Sequence, residues 1–503
     1  MRRLIVTTLL LSALLIAGCG GGSDSGSALD SALSYLPKDA PFAVAIDTDL
    51  EDDQYKALQA LIRKFPFGEQ VQDSLRRQLE QSSGGVNFND DVKPALGNPF
   101  VVGATDAASF SSDSGSARFV AAIKAKDKDA LDKLVDKTKP TKAGEESGAT
   151  LYEDDGTVFA VDDDMLVFAD DKQQLTQALA RADGDDHLDE DTFNEGLDGL
   201  PESALARVYG DLEALLKSDP GSEDARRIKW VDALRTLGAT VVARNEGIDI
   251  DFRVRTGGDL SDSDLPIAPG DESPDVIKRK GEIGLGIRDL AHIVRFAENA
   301  GQAVDPAGFG DYAQAKKTID NQLGVSLDND LIGQLTGDVS STVSIDGKFG
   351  VRAQLEDPQA FERTLAKVAD VLPSFAEGAG LGTVGLSKPK GSQDFYALAQ
   401  PDGDAVVFGV IDDVLVVAND PAQASKLAGE QPVAVPNAKG SVVMSADAEQ
   451  LVNTVLGQFG PALGLGDLGG LGSALFTRPL EDLNGFMTAS TDELRGKLTL
   501  AID

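Results

Sequence analysis

The stretch VFAVDDDMLVFADD, residues 158–171, contains two short apolar runs separated by acidic residues. Each run has the length of a β-strand, and an acidic pair between two such runs is typical of a hairpin turn, because aspartate tolerates the left-handed backbone conformation. A similar stretch, VFGVIDDVLVVAND, occupies residues 407–420, and nine of the fourteen positions are identical. We therefore predict two copies of one β-hairpin, each followed by a helix.

Two further matches lie upstream of each hairpin. DKDALDKLVDK, which begins at Asp127, matches DPQAFERTLAK, which begins at Asp357. Both predict a helix, because apolar residues recur at helical spacing behind an aspartate N-cap. GVNFNDDVKPAL, from Gly85, aligns more weakly with GVSLDNDLIGQL, from Gly324. Since the three matches occur in the same order, we predict an internal duplication.

The segments around these matches predict consecutive strands with amphipathic helices among them. This order favours an α+β fold with two related halves, each an antiparallel sheet with helices packed on one side. Residues 248–255, IDIDFRVR, alternate apolar and charged side chains, which predicts a strand with one solvent-exposed face. In the first half we predict strands at residues 42–48, 100–105 and 118–124, and helices at residues 54–65 and 70–81.

Residues 256–280 separate the two halves. This segment is rich in Gly, Pro, Ser and Asp and lacks periodicity, so it predicts a linker. The predicted organisation is a first α+β repeat at residues 29–255, the linker at residues 256–280, and a second repeat at residues 281–503.

The first residues predict export. Two arginines precede an apolar run, residues 4–16, which is too short to span a membrane, since a spanning helix needs about 20 apolar residues. The sequence IAGC, residues 16–19, resembles a bacterial lipobox. That resemblance implies cleavage before Cys19 and attachment of a diacylglycerol to its thiol. An ordinary secretory signal with an incidental cysteine is the alternative.

Cys19 is also the single cysteine of the 503 residues, so no internal disulfide can form. We therefore predict a signal peptide at residues 1–18 and a Gly/Ser-rich tether at residues 19–28. The mature protein is expected to be a membrane-anchored lipoprotein outside the cytoplasm, on the outer face of the cytoplasmic membrane or in the periplasm.

The start of the region after the tether resembles a known protein family. The residues that carry the resemblance are ALSYLPKDAPFAVAIDTD, residues 32–49, followed by the helix QYKALQALIRKFP, residues 54–66. They are similar to bacterial lipoproteins catalogued as domain of unknown function 3352. The resemblance implies a lipoprotein but contributes no reaction, cofactor or catalytic residue.

The composition limits the partners. With 83 acidic and 46 basic residues, the chain has a formal net charge of -37, which disfavours nucleic acid and anionic head groups. A hydrophobic content of 42% supports a packed core. We predict no nucleic acid partner and contact with the membrane through the lipid anchor.

The stretch DTDLEDD places Asp47, Asp49 and Glu51 at the alternating spacing of a calcium-binding loop. The sixth position lacks the required glycine and the twelfth lacks glutamate, so the helix-loop-helix pattern fails. We interpret the stretch as a solvated turn in which Asp53 caps the next helix. A looser cation site is the alternative.

Paired carboxylates occur in both hairpins, Asp163 with Asp164 and Asp412 with Asp413. Such pairs can perform acid–base chemistry or bind metal. Their occurrence at both hairpin tips favours a turn, because a structural requirement repeats with the fold.

The remaining candidates do not form a catalytic signature. His187 lies in an acidic loop and His292 on a predicted helix, where we expect solvated positions, and no G-x-S-x-G motif accompanies them. Two G-x-G-x-x-G matches follow helices instead of strands, so we predict no dinucleotide site and no cofactor. Their glycines are Gly380, Gly382 and Gly385, and Gly464, Gly466 and Gly469.

The apolar tract FGPALGLGDLGGLGSALF, residues 459–476, carries repeated leucine with little charge. It predicts either a packed edge of the core or a contact surface for a lipid, a partner or the membrane. Together these features favour a non-catalytic, lipid-anchored protein that binds an apolar or lipid ligand or an envelope partner. A carboxylate-based, metal-assisted envelope enzyme is the alternative.

Overall fold

The computed structural model describes residues 25–66, 68, 77, 86–107, 118–154, 156–344, 347–378, 386–387, 395–399, 405–459 and 477–503. The chain forms two compact units. The first unit contains Met1–Glu223, Leu234–Arg255 and Ile502–Asp503, and the second contains Asp224–Ala233 and Thr256–Ala501. Both units combine helices with antiparallel strands, which confirms the predicted α+β class.

The first unit is built around ten strands. They are β1 (Phe42–Ile46), β2 (Phe100–Ala104), β3 (Phe119–Lys124), β4 (Thr141–Glu146), β5 (Ala149–Asp154), β6 (Thr157–Asp162), β7 (Met165–Ala169), β8 (Ala206–Asp211), β9 (Leu234–Arg244) and β10 (Gly247–Thr256). Neighbours pair in the order β4-β5-β6-β7-β3-β2-β1-β8-β9-β10. The pairs from β4 to β9 are antiparallel. The predicted strands near residues 42, 100 and 118 are therefore confirmed.

The first helix of this unit precedes β1, and the others connect its strands. The helices are α1 (Ser25–Leu33), α2 (Asp53–Lys64), α3 (Lys93–Ala95), α4 (Lys128–Thr138), α5 (Lys172–Ala182), α6 (Glu190–Leu197) and α7 (Leu212–Ser218), with a π-helical turn at Phe88–Val92 and a 3-10 turn at Pro220–Ser222. The helix predicted at residues 70–81 lies outside the described residues.

Aspartate side chains begin several of these helices. The Asp127 carboxylate accepts a hydrogen bond from the backbone N–H of Ala130 and caps α4, as predicted. The cap of α2 is Asp52, which accepts from the N–H of Gln54 at 2.7 Å. The prediction of Asp53 as the cap was wrong by one residue, because Asp53 is the first residue of the helix itself.

Helices cover both faces of the first sheet. On one face, α1, α5 and α6 bury side chains such as Leu33, Leu179 and Phe193 against alternate residues of the strands. On the other face, Leu131 and Val135 of α4 pack with Phe159 of β6. The expectation of helices on one side was therefore wrong for this unit, because β6 is apolar on both faces.

The second unit follows a similar plan. Its strands are β11 (Glu282–Ile287), β12 (Val339–Ser344), β13 (Phe349–Gln354), β14 (Leu386–Ser387), β15 (Phe395–Ala399), β16 (Ala405–Ile411), β17 (Val414–Ala418), β18 (Val442–Asp447), β19 (Leu480–Ala489) and β20 (Glu493–Ile502). They pair in the order β14-β15-β16-β17-β13-β12-β11-β18-β19-β20. This order repeats that of the first unit, strand for strand.

All but the first helix of the second unit connect its strands, and that first helix lies between β8 and β9 in the sequence. The helices are α8 (Lys229–Asp232), α9 (Leu290–Val304), α10 (Pro306–Leu323), α11 (Pro358–Gly378), α12 (Pro421–Gly429) and α13 (Ala448–Phe459), with 3-10 turns at Ala225–Arg227, Asp262–Asp264 and Ile332–Gln334 and a π-helical turn at Leu327–Leu331. Asp357 accepts a hydrogen bond from the N–H of Ala360 and so begins α11 as predicted, with Pro358 first in the helix.

Residues 256–280 belong to the second unit and pack within it. Leu265 and Val276 are fully buried. The N–H of Val276 donates to the carbonyl of Val433, and the Ser340 hydroxyl donates to the carbonyl of Asp275 at 2.9 Å. The segment is irregular but ordered by these contacts.

The alternation of β10 does not produce the expected exposed face. Asp249 is buried, whereas Ile248 and Ile250 are partly exposed. An ion pair with Arg244 stabilises the buried Asp249 carboxylate. The predicted polar face was therefore wrong at this residue.

Candidate functional site

The strand register of the first unit aligns seven side chains in one row across the sheet. Each member lies directly opposite the next on the neighbouring strand. We call this set the first row; from β5 to β8 it contains Tyr152, Phe159, Phe168, Ala121, Val102, Val44 and Val208. All seven are apolar or aromatic, so the register builds a continuous apolar strip.

This strip is less completely covered than the opposite face of the same strands. The alternate residues Ala45, Val101 and Val167, which face α1, α5 and α6, are 1%, 0% and 0% exposed. In the first row, Val44 and Val102 are partly exposed. Because apolar side chains gain free energy when they leave water, an incompletely covered apolar strip favours a further apolar contact.

Aromatic rings form one end of the first row. The Tyr152 and Phe159 rings stack with centroids 5.2 Å apart, and the Phe159 and Phe168 centroids are 5.8 Å apart. Leu131 and Val135 of α4 pack over this aromatic end. Ala121 and Val102 belong to a neighbouring cluster with Phe100 and Ile123, and Val44 and Val208 lie outside both clusters.

The second unit has an equivalent strip. We call it the second row; from β15 to β18 it contains Tyr396, Phe408, Val417, Val351, Ser341, Leu285 and Met444, all of them partly exposed. It begins with the same Tyr–Phe stack, with centroids 5.7 Å apart. Next to it on β12, Val343 is 39% exposed on the same face.

Neither row was predicted from the sequence. A signal was present, because VVFGVI and VLVVA lack the polar alternation of a strand with one wet face, which is typical of strands apolar on both faces. The alignment of residues from distant strands depends on pairings such as β3 with β7, which local patterns do not encode.

The acidic turn after β1 is a second site of chemical interest. The Asp47 carboxylate accepts a hydrogen bond from the N–H of Asp49 at 2.9 Å, and the Asp49 carboxylate accepts from the N–H of Glu51 at 3.0 Å. Burial raises the pKa of Asp47 to about 6, against the lowering effect of the Asp49 N–H. The chain of backbone hydrogen bonds explains the alternating acidic spacing as turn geometry.

Arg207 provides positive charge near Asp47. Burial lowers the pKa of its guanidinium, while the charges of Glu190 and Asp47 raise it. Its Nη1 lies 3.4 Å from Asn194 Oδ1, and the guanidinium carbon lies 5.7 Å from the centroid of the Phe193 ring. Across the described part of the chain, no group of three or more His, Cys, Asp or Glu side chains is arranged to hold a metal ion.

The paired aspartates form the hairpin turns that their spacing predicts. Asp163, Asp412 and Asp413 have φ angles of 52°, 46° and 70°, in the left-handed region. Lys128 forms an ion pair with Asp163, and Lys124 Nζ lies 3.7 Å from Asp164 Oδ2. These contacts are those of exposed turns.

The two histidines lie in separate elements. His187 Nδ1 is 2.8 Å from the carbonyl oxygen of Gly184, in the loop between α5 and α6. His292 Nε2 is 2.9 Å from the carbonyl oxygen of Leu265, and the ring is partly buried. His292 lies on a helix as predicted, but its ring is only partly exposed, because the 256–280 segment packs against it.

Three predicted features lie outside the described residues. They are the lipidation site Cys19, the glycine tract with Gly380, Gly382 and Gly385, and the tract with Gly464, Gly466 and Gly469. Of the apolar tract at residues 459–476, the structure describes the backbone of Phe459 alone. Within the described residues, no helix has both the length and the apolar character needed to cross a membrane.

A family profile described as "Protein of unknown function (DUF3352)" matches residues 4–374. The chain belongs to the DUF3352 family. The match extends from the N-terminal apolar run into α11, so this DUF3352 protein carries the family's sequence through the first unit and into the second.

Similarity to other proteins is distant. No curated protein matches this DUF3352 chain. Solved structures of TP0453 in crystal forms III, IV and I share 9% identity with it, with TM-scores of 0.27, 0.27 and 0.26. They cover 46%, 44% and 46% of this chain and 81%, 80% and 80% of their own. The chemistry of the DUF3352 protein must therefore be argued from its own residues.

Proposed function

We propose that this protein is a non-catalytic, lipid-anchored protein outside the cytoplasm that binds an apolar or lipid ligand on its two rows. The observation that carries the proposal is the contrast between the two faces of the same strands. Residues facing α1, α5 and α6 are fully covered, whereas most of the first row is partly exposed. A ligand that completes this burial gains about 0.8 kcal/mol for each buried methylene group.

We also infer that the two units arose by internal duplication. The identical strand order supports this inference, as do the matching Tyr–Phe stacks. The aligned segments from Gly85 and Gly324 both contain a π-helical turn, Phe88–Val92 and Leu327–Leu331. A π-helical turn is rare, so its occurrence at aligned positions argues for common origin.

Lipidation at Cys19 would hold the protein at a membrane through the tether at residues 19–28. The net charge of -37 would keep the folded units away from anionic head groups. An anchored protein with an apolar binding strip suits the capture of lipid or of an apolar segment of an envelope protein. The experiment described below distinguishes capture of a protein segment from capture of lipid.

The experiment compares two substitutions of exposed valines. Val343→Glu places a charge beside the second row, whereas Val433→Glu places it at a residue that is 48% exposed and lies outside both rows. Both are made in Cys19→Ser protein that starts at residue 19 and is produced through an export route. Native mass spectrometry with solvent extraction then measures bound lipid.

The proposal predicts that the parent protein and the Val433→Glu variant retain an apolar adduct and that the Val343→Glu variant retains less. Equal retention by both variants would refute a site on the second row. A parent protein without any adduct, also after incubation with monopalmitoylglycerol, would favour an envelope protein as the partner.

A carboxylate-based envelope enzyme is the second candidate, and Asp47 favours it. A carboxyl group with a pKa of about 6 can exchange protons near neutral pH. Metal analysis of the purified protein and hydrolase activity panels on Asp47→Asn and Asp49→Asn variants test this candidate. Activity in the parent that Asp47→Asn alone removes would support it, and a parent without metal or activity would exclude it.

A further inference from the structure

We propose that helix α10 opens away from the rest of the second unit as a cooperative segment, and that Lys316 holds it in the closed position. This inference goes beyond the proposed function, because it concerns a conformational change of the protein and requires no ligand. It follows from the low burial of α10, from the backbone at its two ends, and from its contacts with α9.

Helix α10 is covered less completely than the helices beside it. All eighteen of its residues, Pro306–Leu323, are described, and none of them is buried. In α9, by contrast, Ala291 is 0% exposed, and in α11, Phe361 and Ala369 are 4% and 2% exposed. Segments with few buried apolar contacts open at a lower free energy than the whole protein unfolds. The burial therefore favours local opening of α10.

The backbone at both ends of α10 allows the helix to open without its neighbours. One residue, Asp305, separates α10 from α9, and its carboxylate accepts a hydrogen bond from the N–H of Gly308 at 3.0 Å. At the other end, Gly324 has a φ of 61°, in the left-handed region that commonly ends a helix. Because neither Asp305 nor Gly324 has helical backbone angles, opening of α10 need not disturb α9.

Three side chains of α10 contact α9. The Tyr312 hydroxyl donates a hydrogen bond to Glu298 Oε1 at 2.8 Å, and Lys316 Nζ donates to the same oxygen at 2.8 Å. Further along α9, the Phe309 ring lies against Gly301, where an added Cβ would be 3.6 Å from Cδ2 of the ring. These contacts define the closed position, and Lys316 supplies its positive charge.

Lys316 connects three segments of the chain. Besides Glu298 on α9, it forms an ion pair with Asp328, in the π-helical turn that follows α10. The Lys316 and Glu298 side chains are 12% and 20% exposed. Removal of one partner from an ion pair that is mostly withdrawn from water leaves the other charge uncompensated. Loss of the Lys316 charge should therefore favour the open state.

Opening should also unfold α10. A helix of this length has little stability of its own in water, and glycines at positions 308 and 310 disfavour the helical conformation further. Backbone hydrogen exchange therefore reports the open state. Alanine at position 310 fits the closed structure, because a Cβ added to Gly310 meets open space.

The test is hydrogen exchange measured by mass spectrometry on the Cys19→Ser protein described above. We expect the amides of α10 to exchange faster than those of α9 and α11. Lys316→Met should accelerate exchange in α10 by roughly 10- to 100-fold, because hydrogen bonds between charged groups are lost. Lys317→Met, at an exposed residue of the same helix, should change it by no more than about twofold. Gly310→Ala should slow it by about two- to fivefold.

Exchange in β11 and β12 serves as the internal reference and should be the same in all variants. Exchange in α10 that is no faster than in α9 would overturn the local opening, as would an acceleration by Lys316→Met that extends equally to β11 and β12. Equal exchange in the Lys316→Met and Lys317→Met variants would overturn the role of Lys316. Unchanged exchange in Gly310→Ala would overturn the unfolding of α10 in the open state.

Discussion

Replacement of Asp47 by asparagine is expected to stabilise the folded protein at neutral pH. The carboxyl group lies directly after β1, where burial raises its pKa from 3.8 to about 6. The charges of Asp52 and Asp49 raise the pKa further, while the Asp49 N–H and the Asn98 side chain lower it. Asparagine retains an oxygen that can accept from the Asp49 N–H and carries no charge.

The sign of the pH dependence follows from proton binding. Between about pH 4 and pH 6, the folded state keeps a proton on Asp47 that the unfolded state has released, so stability falls as pH rises. The shift from 3.8 to about 6 corresponds to about 3 kcal/mol at 1.36 kcal/mol per pKa unit. Because Asp47 is partly exposed, solvent screening reduces the expected effect to about 1–2 kcal/mol.

Urea unfolding at a series of pH values measures this effect. The difference in unfolding free energy between Asp47→Asn and the parent should be near zero at pH 4, should grow through pH 5, and should be constant above pH 7 in favour of the variant. Asp132→Asn, at an exposed position on α4, is the matched control and should show no such rise. A variant less stable than the parent at pH 7, or a difference independent of pH, would refute the reasoning.

Three further substitutions test the fold, each by urea or thermal unfolding. Leu179→Ala on α5 removes a side chain that is 1% exposed and should lower stability by about 2–5 kcal/mol, and a loss below 1 kcal/mol would contradict its place in the core. Asp127→Ala removes the cap of α4 and should cost about 1 kcal/mol, whereas Asp132→Ala on the same helix should change stability by less than about 0.5 kcal/mol. Asp413→Val should destabilise by about 1 kcal/mol, because a β-branched residue disfavours a φ of 70°, and Asp413→Asn should be nearly neutral; equal effects would argue against the left-handed turn.

Local features of the fold could be predicted from the sequence. The hairpin turn at Asp412 and Asp413 and the helix start at Asp127 depend on residues next to one another in the chain, so their spacing was sufficient. The cap of α2 shows the limit of this reasoning. Asp52 and Asp53 are adjacent and chemically identical, so the sequence alone could not decide between them.

Features that depend on distant residues were less predictable. The ion pair that stabilises buried Asp249 and the packing of residues 256–280 over His292 depend on contacts made only in the folded chain. Predicting the two rows requires knowledge of the complete strand order, because their neighbouring members come from distant parts of the sequence. Sequence motifs therefore could not predict the candidate site, although the apolar runs that form it can be recognised in the sequence.

The position of β1 has a consequence for how the first unit forms. Ile46 pairs with Phe100 on one side and with Ala206 on the other, 160 residues later in the chain. At a synthesis rate of about 5–20 residues per second, β1 waits roughly 10–30 s for its second neighbour to emerge. During that time one edge of β1 remains free to pair with another chain, which is an aggregation hazard. A nascent chain of this kind would benefit from a chaperone until β8 closes the edge.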